Sequence, residues 1–274
     1  MANLVKKIRT SSGDLQIDYN ALANLPRLGS QNLLINSDFR NLINQRDKSS
    51  YTGSSSWIYT IDRWRIKGIT LTVNDGSITL TNSGSSQNSM QQPIGYTLPT
   101  GSYTVSLNVL SISGNVSVGL TGTSNNPKLS LGINSHTWND IAVGSVAIAL
   151  DPGASIKLEW VKLEGGSVAT PFVPRLYVEE FILCQSYYRQ LRRVPIYATA
   201  TSNTTYMLPI QFGVPMIGSQ KITLVEALNS SGTVQSGITC TNCLSGQYST
   251  QTIQLSSSIG QYGFITLIFD AEIY

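Results

Sequence analysis

The amino-acid sequence predicts a mainly β protein with one helix near the middle of the chain. Short segments in which apolar and polar residues alternate fill residues 32–172 and return after residue 195. One segment between them has the helical period instead. Hydrophobic residues make up 41% of the 274 residues and charged residues 12%, about half the roughly 25% of typical soluble proteins. The chain is therefore too apolar for disorder, and it is long enough for two cores.

Residues 32–174 carry the pattern of a two-layer β-sandwich. Two β-patterned runs, at residues 69–73 and 77–81, flank the turn sequence NDG and predict a hairpin. Apolar residues occupy every second position from Tyr103 to Val109. Strands at this spacing without helices between them favour two packed sheets of jelly-roll or similar topology, whose core is built from alternate residues of both sheets.

Residues 175–193 are predicted to form a connector helix. Apolar side chains recur there at intervals of four, three, four and three residues, which places them on one helix face. Pro174 precedes the segment and Pro195 follows it, while acidic residues near its start and arginines near its end complement the helix dipole. The apolar residues are Tyr177, Phe181, Cys184, Tyr188 and Leu191, and the charged residues are Glu179, Glu180, Arg189, Arg192 and Arg193.

The two ends of the chain carry different patterns. Residues 194–274 return to β-patterned runs and are predicted as a C-terminal β head domain. The run at residues 263–269 is apolar on both faces, which predicts a central strand or a strand covered by another subunit. Residues 1–31 combine an SSGD turn with scattered apolar residues, and we expect an N-terminal attachment arm that leans on another structure.

Charge and hydropathy exclude two classes of partner. The formal net charge is +3, and no basic run is longer than a pair, whereas a nucleic-acid interface needs a denser basic stripe. No apolar run reaches the roughly 18 residues of a membrane span, and the N-terminus lacks the apolar region of a signal peptide. We therefore expect synthesis in the cytoplasm and no membrane insertion.

Residues that support catalysis are sparse, so no enzymatic activity is expected. His136 is the one histidine, and no GxSxG or other nucleophile signature accompanies it. The carboxylates of the sandwich show no spacing that singles out a glycosidase pair. Cys240 and Cys243 form a CxxC, and Cys184 and His136 are the only other soft side chains that zinc could use, so buried or weakly exposed thiols are expected, with a local disulfide as the alternative.

Aromatic side chains offer the better binding signal. Sugar rings place their apolar C–H faces on Trp and Tyr, while amides and carboxylates bond the hydroxyl groups. Trp64 and Trp160 are assigned to the core, Trp160 because it alternates with Ile156 and Leu158. Trp57 follows a flexible polar stretch, GSSS, and is the aromatic residue most expected at the surface. The predicted glycan contacts are Trp57, Tyr59, Tyr96 and Trp138.

Several segments resemble a known family. Residues 32–39, NLLINSDF, and residues 59–64, YTIDRW, resemble the opening of the carbohydrate-binding-module-like jelly-roll domains of bacteriophage tail fibre and baseplate proteins. Residues 160–172, WVKLEGGSVATPF, and residues 184–188, CQSYY, resemble the end of the same domain and the helix after it. Near the N-terminus, KIRT followed by GDLQIDYNAL resembles the start of related tail proteins.

The resemblance implies a role, a location and an assembly. Proteins of this family are virion components that bind host-surface glycans, usually as homotrimers, so the resemblance implies a receptor-binding protein of the virion tail that acts at the bacterial surface. Partners would be its own copies, other tail or baseplate proteins through the arm, and host polysaccharide. The resemblance also implies a structural calcium ion at Asn36 and Asp38, although Arg40 stands where an acidic residue would favour the ion.

Two alternatives to the adhesin remain open. One is a purely structural tail or fibre connector in which both β domains serve assembly. The other is a glycan depolymerase.

Overall fold

The computed structural model describes residues 7–10, 13–16, 31–124, 126–197, 204–217, 221–229, 231–234, 239–241, 250–257 and 262–272. The predicted arm therefore lies mostly outside the described residues, apart from one antiparallel hairpin. Cys243 and the side chain of Cys240 also lie outside them. Among the described helices none has the length and apolar character needed to cross a membrane.

Strands dominate the structure. The N-terminal hairpin is β1 (Lys7–Thr10) and β2 (Gly13–Gln16), and a short 3-10 helix spans Phe39–Asn41. The sandwich strands are β3 (Ser50–Thr52), β4 (Ile58–Tyr59), β5 (Arg65–Lys67), β6 (Thr70–Asn74), β7 (Ser77–Thr81), β8 (Asn88–Ser113), β9 (Val116–Leu120), β10 (Gly132–Leu150) and β11 (Ser155–Gly165). Helix α1 (Tyr177–Gln185) is followed by β12 (Tyr188–Tyr197), β13 (Thr204–Gln211), β14 (Lys221–Asn229), β15 (Thr239–Thr241), β16 (Thr250–Ser257) and β17 (Tyr262–Asp270).

Two long strands fold the sandwich into its two layers. β8 and β10 pair antiparallel along their lengths, and their register shifts where residues 98–101 meet residues 138–143. Beyond that bend the partners change. The front sheet joins β3, β6, β7 and β11 to residues 101–113 of β8 and 132–141 of β10. The back sheet joins β4, β5 and β9 to residues 88–98 of β8 and 143–150 of β10.

One hydrophobic core fills the space between the front and back sheets, and the prediction of a mainly β, jelly-roll sandwich is confirmed. The predicted hairpin forms between β6 and β7 around Asp75 and Gly76, where Gly76 has a φ of +67° that a two-residue turn requires. Trp64 is fully buried, as predicted. The core includes Leu71, Ile78, Leu80, Val105 and Leu107 from the front sheet and Ile66, Met90, Val118, Val146 and Ile148 from the back sheet.

Trp160 is buried on the opposite face of β11 from the one predicted. Leu158 pairs with Val109 and Trp160 pairs with Asn108, so β11 contains one extra residue, a β-bulge. The bulge reverses the alternation, and the core positions after it are Val161 and Leu163. Trp160 is buried, as predicted, but it packs outside the core between the sheets, because a bulge leaves no sign in an alternating pattern.

The segment after β11 covers the outer face of the front sheet. Phe172 stacks on Trp160 with ring centroids 4.7 Å apart. The Lys162 ammonium lies 3.1 Å from a Glu164 oxygen, and both side chains are 1% exposed. The amide of Thr170 donates to Glu164 at 2.8 Å, and Lys162 donates to the Thr170 carbonyl at 3.1 Å. Residues 167–174 are therefore a cover segment, held by a buried ion pair and an aromatic stack.

The predicted helix of residues 175–193 is only half helical. α1 ends at Gln185, and Tyr188 begins strand β12, which pairs with β17. Tyr188, Arg189, Leu191, Arg192 and Arg193 thus belong to a strand, and the arginines do not complement a helix end. The apolar residues of this segment recur with a helical period, but its second half pairs with β17 near the end of the chain instead. That pairing satisfies the backbone hydrogen-bonding groups of β12.

The C-terminal region contains a second, smaller core. A three-stranded sheet in the order β12, β17, β14 and another in the order β13, β16, β15 are described there. β17 is the central strand of its sheet, as one of the two predicted alternatives requires. The core between these elements includes Ile210, Phe212, Met216, Ile265, Leu267 and Phe269.

Candidate functional site

The outer face of the back sheet carries a row of polar side chains that crosses four strands. Tyr59 pairs with Arg65 between β4 and β5, while Ile58 pairs with Ile66. Because Ile66 enters the core, the alternation of a strand directs Arg65 outward. Arg65 pairs with Gln91 of β8, which in turn pairs with β10. The local pattern of β5 and the sheet register together place these side chains beside one another.

Hydrogen bonds connect the row. The Arg65 guanidinium donates to the side-chain oxygen of Gln91 through Nε at 3.0 Å and Nη2 at 2.6 Å. The Gln91 amide nitrogen donates to Ser145 Oγ at 2.6 Å, and Ser145 Oγ lies 2.6 Å from Thr121 Oγ1. The charge of Arg65 strengthens the first of these bonds. The network fixes the orientation of the Gln91 amide and of both hydroxyl groups.

Trp57 forms the aromatic end of the row. The guanidinium carbon of Arg65 lies 4.7 Å from the centroid of the Trp57 ring, a cation–π contact, and the tryptophan is 37% exposed. The polar stretch before it is tied to the sheet, because Gly53 donates to Ile69 and Gly68 donates to Ser54. A Cβ at Gly53 would come within 2.8 Å of the Ile69 carbonyl oxygen, so this close approach requires glycine. The first half of the stretch is therefore held to the sheet, while Ser55 and Ser56 are exposed.

We name Trp57, Arg65, Gln91, Ser145 and Thr121 the back-sheet row. Four strands at about 4.8 Å spacing give the row a length of about 14 Å. Of the neighbouring outward positions, Ala147 on β10 is small, and Gly119 on β9 is covered by the Asn126 side chain, which a Cβ there would meet at 2.3 Å. A strip that combines an indole face, donors and acceptors can bind an extended polar ligand with apolar C–H faces.

The structure does not bring the four predicted aromatic residues together. Trp57 and Tyr59 lie near each other, and Tyr59 is half-buried with the Arg46 guanidinium 6.0 Å from its ring. Trp138 lies on the front sheet, where its ring meets His136 edge to face at 4.5 Å. Tyr96 lies on β8 near the bend and is 66% exposed. Glycan contact by each residue stays a prediction.

The polar members of the row were not predicted from the sequence. Arg65 was treated only as a neighbour of Trp64, while Gln91, Ser145 and Thr121 lie in three further segments. Only the register of β5, β8 and β10 places them in line, and that register depends on the whole sandwich.

The side chains predicted for calcium have protein partners. The Asn36 side-chain oxygen accepts from the Ile43 amide at 2.6 Å, and its nitrogen donates to the Ile43 and Asp62 carbonyls. The Asp38 carboxylate pairs with Arg40 at 2.7 Å. Calcium needs six or more oxygen ligands, and a guanidinium at this carboxylate opposes it. In this arrangement the Asn36 and Asp38 side chains, both engaged by protein groups, do not fit a calcium ion.

A second polar cluster is buried where the sandwich meets the C-terminal region. Arg46 lies 2.9 Å from Glu272 and 3.6 Å from Asp62, and the Arg63 amide donates to Glu272 at 2.7 Å. Burial, followed by the charge of Glu272, raises the pKa of Asp62 to about 7 against the opposing effect of Arg46. Burial also raises the pKa of Glu272. We name Arg46, Asp62, Arg63 and Glu272 the joint cluster.

Two tyrosine rings pack against the arginines of the joint cluster. The Arg63 guanidinium stacks 3.5 Å from the Tyr187 ring, and the Arg46 guanidinium lies 3.7 Å from the Tyr188 ring. A Cβ at Gly95 would lie 3.0 Å from the Tyr187 hydroxyl, so glycine makes room for that ring. The segments YTIDRW and CQSYY, which carried the family resemblance, thus contact each other and form a structural joint.

Comparison with known proteins gives distant likenesses. A scan of protein-family models finds no match to this chain, and a search of curated proteins finds none. Among solved structures, a mutant family 29 carbohydrate-binding module is 12% identical, with a TM-score of 0.30, over 47% of this chain and 100% of that chain. A family 61 module bound to β-1,4-galactotriose is 14% identical, with a TM-score of 0.28, over 50% of this chain and 100% of that chain.

An oxalate decarboxylase from Lactobacillus farciminis is 10% identical, with a TM-score of 0.13, over 83% of this chain and 87% of that chain. All three TM-scores are too low to support an argument about this chain. The β-sandwich described above rests on its own strand pairing and core.

Proposed function

We propose that the protein is a non-enzymatic adhesin of a bacteriophage tail fibre or baseplate, and that it binds host-surface glycan through the back-sheet row. The observation that supports this most is the hydrogen-bonded line from Arg65 to Thr121 with Trp57 stacked at one end. It lies on the outer face of the back sheet, where Trp57 is 37% exposed.

The row suits a saccharide chain chemically. The C–H face of a pyranose ring packs on the indole of Trp57. The Gln91 amide and the Thr121 hydroxyl can both donate and accept, as sugar hydroxyls do, while Ser145, which is only 5% exposed, holds the two in place. A row of about 14 Å accommodates an oligosaccharide that lies across the strands, which it binds more completely than a single sugar.

A surface site of this kind binds weakly, so several copies are needed for firm attachment. A homotrimer presents three rows to one surface and raises the avidity. Apolar side chains at the start of α1 support association of copies, since Leu176 is 68% exposed, Tyr177 59% and Val178 59%. The tail location and the attachment of the arm to other virion proteins rest on the sequence resemblance.

The alternative of a structural connector is favoured by the joint cluster. Buried charges from the sandwich and from Glu272 fix the C-terminal sheet against the sandwich, as a load-transmitting subunit requires. In that case the back-sheet row would have no ligand.

A glycan array tests the adhesin against both alternatives. The wild-type chain is expected to bind a glycan of the host surface, and Trp57→Ala is expected to weaken that binding at least about tenfold. Ile133→Ala is the control, because Ile133 is an exposed apolar side chain of the front sheet, and it should bind as the wild type does. Release of reducing ends from host polysaccharide would establish a depolymerase. Absence of binding to any host glycan would contradict the adhesin and favour the connector.

A further inference from the structure

A second surface, on the C-terminal sheet, has the features of a binding site. The face of β12, β17 and β14 that points away from the C-terminal core forms a basin of about 610 Å³. Its lining residues are Gln190, Arg192, Arg193, Val225, Glu226, Val234 and Thr266, which we name the C-terminal basin.

Two β-bulges build this basin. On β12, Leu191 pairs with Leu267 and Val194 pairs with Ile265, so two arginines stand opposite the single residue Thr266. On β14, Leu224 pairs with Leu267 and Glu226 pairs with Thr266, so Val225 is an extra residue. A bulge redirects side chains and is common beside binding sites.

The bulges place more polar side chains on this face than regular strands would. The apolar residues on either side of each bulge pack on the C-terminal core, so the pairs between them, Arg192 with Arg193 and Val225 with Glu226, face the basin. Arg193 has a φ of +53°, a conformation that costs a residue other than glycine free energy. Holding Arg193 in this conformation at the edge of the basin therefore lowers the stability of the sheet.

Charged groups of opposite sign stand on opposite walls. Arg193 is on one side of Thr266 and Glu226 is on the other, and no salt bridge engages either of them within the part of the chain that the structure describes. Arg192, by contrast, forms a salt bridge with Asp47 at 3.1 Å. Two strand spacings separate the walls, about 10 Å, which leaves room for one sugar ring above Thr266.

The walls also offer apolar surface. Val225 is 52% exposed and Val234 65%. The turn that places Val234 is ordered by Asn229, whose side-chain oxygen accepts from the amides of Ser231 and Thr233. Phe264 is 38% exposed and lies two residues from Thr266, on the same face of β17.

We infer that the C-terminal basin binds one ring of a neutral, hydroxyl-rich saccharide. A guanidinium only donates hydrogen bonds and a carboxylate only accepts them, so a ligand between Arg193 and Glu226 must do both. Sugar hydroxyl groups do both. A ligand carboxylate would be attracted by Arg193 but repelled by Glu226, and a ligand ammonium the reverse, so a single ligand charge gains little net energy between the two walls. This site is separate from the back-sheet row and does not depend on it.

An array of neutral, uronate-containing and amino-sugar oligosaccharides tests the inference with the full-length chain. Binding is measured in the Trp57→Ala background, which removes the back-sheet contribution. A neutral glycan is expected to bind there, and Arg193→Asn and Glu226→Gln are each expected to weaken it about tenfold or more. Asn tolerates the left-handed backbone at position 193, and Gln preserves the volume at position 226.

Lys221→Gln is the control, because Lys221 is an exposed charge at the other end of β14 and outside the basin. It should leave binding unchanged. The inference is overturned if no neutral glycan binds the Trp57→Ala protein, if charged glycans bind as tightly as neutral ones, or if neither basin variant weakens binding. Loss of self-association in the basin variants without any effect on glycans would assign the face to a second copy of the chain and would also overturn it.

Discussion

The two outer faces of the sandwich contain similar side chains in opposite situations. The front sheet carries Trp160 and Lys162 beneath the cover segment, and both are at most 8% exposed. The back sheet carries Trp57 with Arg65, and Trp57 is 37% exposed because no such segment lies over it among the residues that the structure describes. A tryptophan beside a cation is therefore a structural element on one face and a candidate binding element on the other, and the chain that follows β11 decides which.

The largest expected effect is the loss of the buried ion pair on the covered face. Glu164→Ala leaves the Lys162 ammonium buried without its counter-charge and should reduce the free energy of unfolding by about 3–5 kcal/mol. Denaturant unfolding measures this. The double variant Lys162→Met, Glu164→Leu removes both charges and should recover most of the loss. Equal destabilisation in the single and double variants would show that the pair does not hold the cover segment.

The next effect distinguishes the two tryptophans. Trp160→Ala removes the stack with Phe172 and should cost about 3 kcal/mol of stability while glycan binding is retained. Trp57→Ala should change stability by less than about 1 kcal/mol and weaken glycan binding at the back-sheet row at least about tenfold. Thermal unfolding and glycan binding of both variants check this. If both variants lose stability to a similar degree, the contrast between the two faces is wrong.

A third expectation concerns the joint cluster, where charges are buried as they are under the cover segment. The pKa of Asp62 is raised from 3.8 to about 7, so its contribution to stability is fully present below about pH 4 and is lost as the pH rises through about 7. Asp62→Asn should remove about 4 kcal/mol of this pH dependence, at about 1.4 kcal/mol for each unit of pKa. Unfolding midpoints between pH 4.5 and pH 8 measure the difference. Parallel pH profiles for the two proteins would contradict the assignment.

The smallest effect concerns the hydrogen bonds that connect Gln91, Ser145 and Thr121 in the back-sheet row. Ser145→Ala removes the acceptor of the Gln91 amide and the partner of Thr121. Glycan affinity should fall about three- to tenfold, because the amide is no longer oriented. Titration calorimetry with the bound glycan measures this. An affinity equal to that of the wild type would mean that these hydrogen bonds do not orient the glycan-binding side chains of the row.

The sequence was sufficient for the fold class because alternation and turn chemistry are local. The β6–β7 hairpin, the alternating core residues of β8 and the buried Trp64 all follow from such local patterns. Bulges and long-range strand pairing could not be predicted from such local patterns. One bulge moved Trp160 to the other face, and pairing with β17 converted the second half of the predicted helix into β12.

The candidate site was accessible only in part. An exposed Trp57 followed from its polar neighbours, but Arg65, Gln91 and Ser145 meet through the register of three strands distant in sequence. The cover segment illustrates the same point, since residues 160–172 contain no local sign that Phe172 returns to stack on Trp160.

The most direct test uses the four tryptophans of the chain, which lie in four different environments. Fluorine-labelled tryptophan gives one NMR resonance for each of Trp57, Trp64, Trp138 and Trp160, and single Trp→Phe variants assign them. On titration with a glycan that the protein binds, we predict a shift of the Trp57 resonance alone. A shift of the Trp138 resonance with Trp57 unchanged would contradict the account.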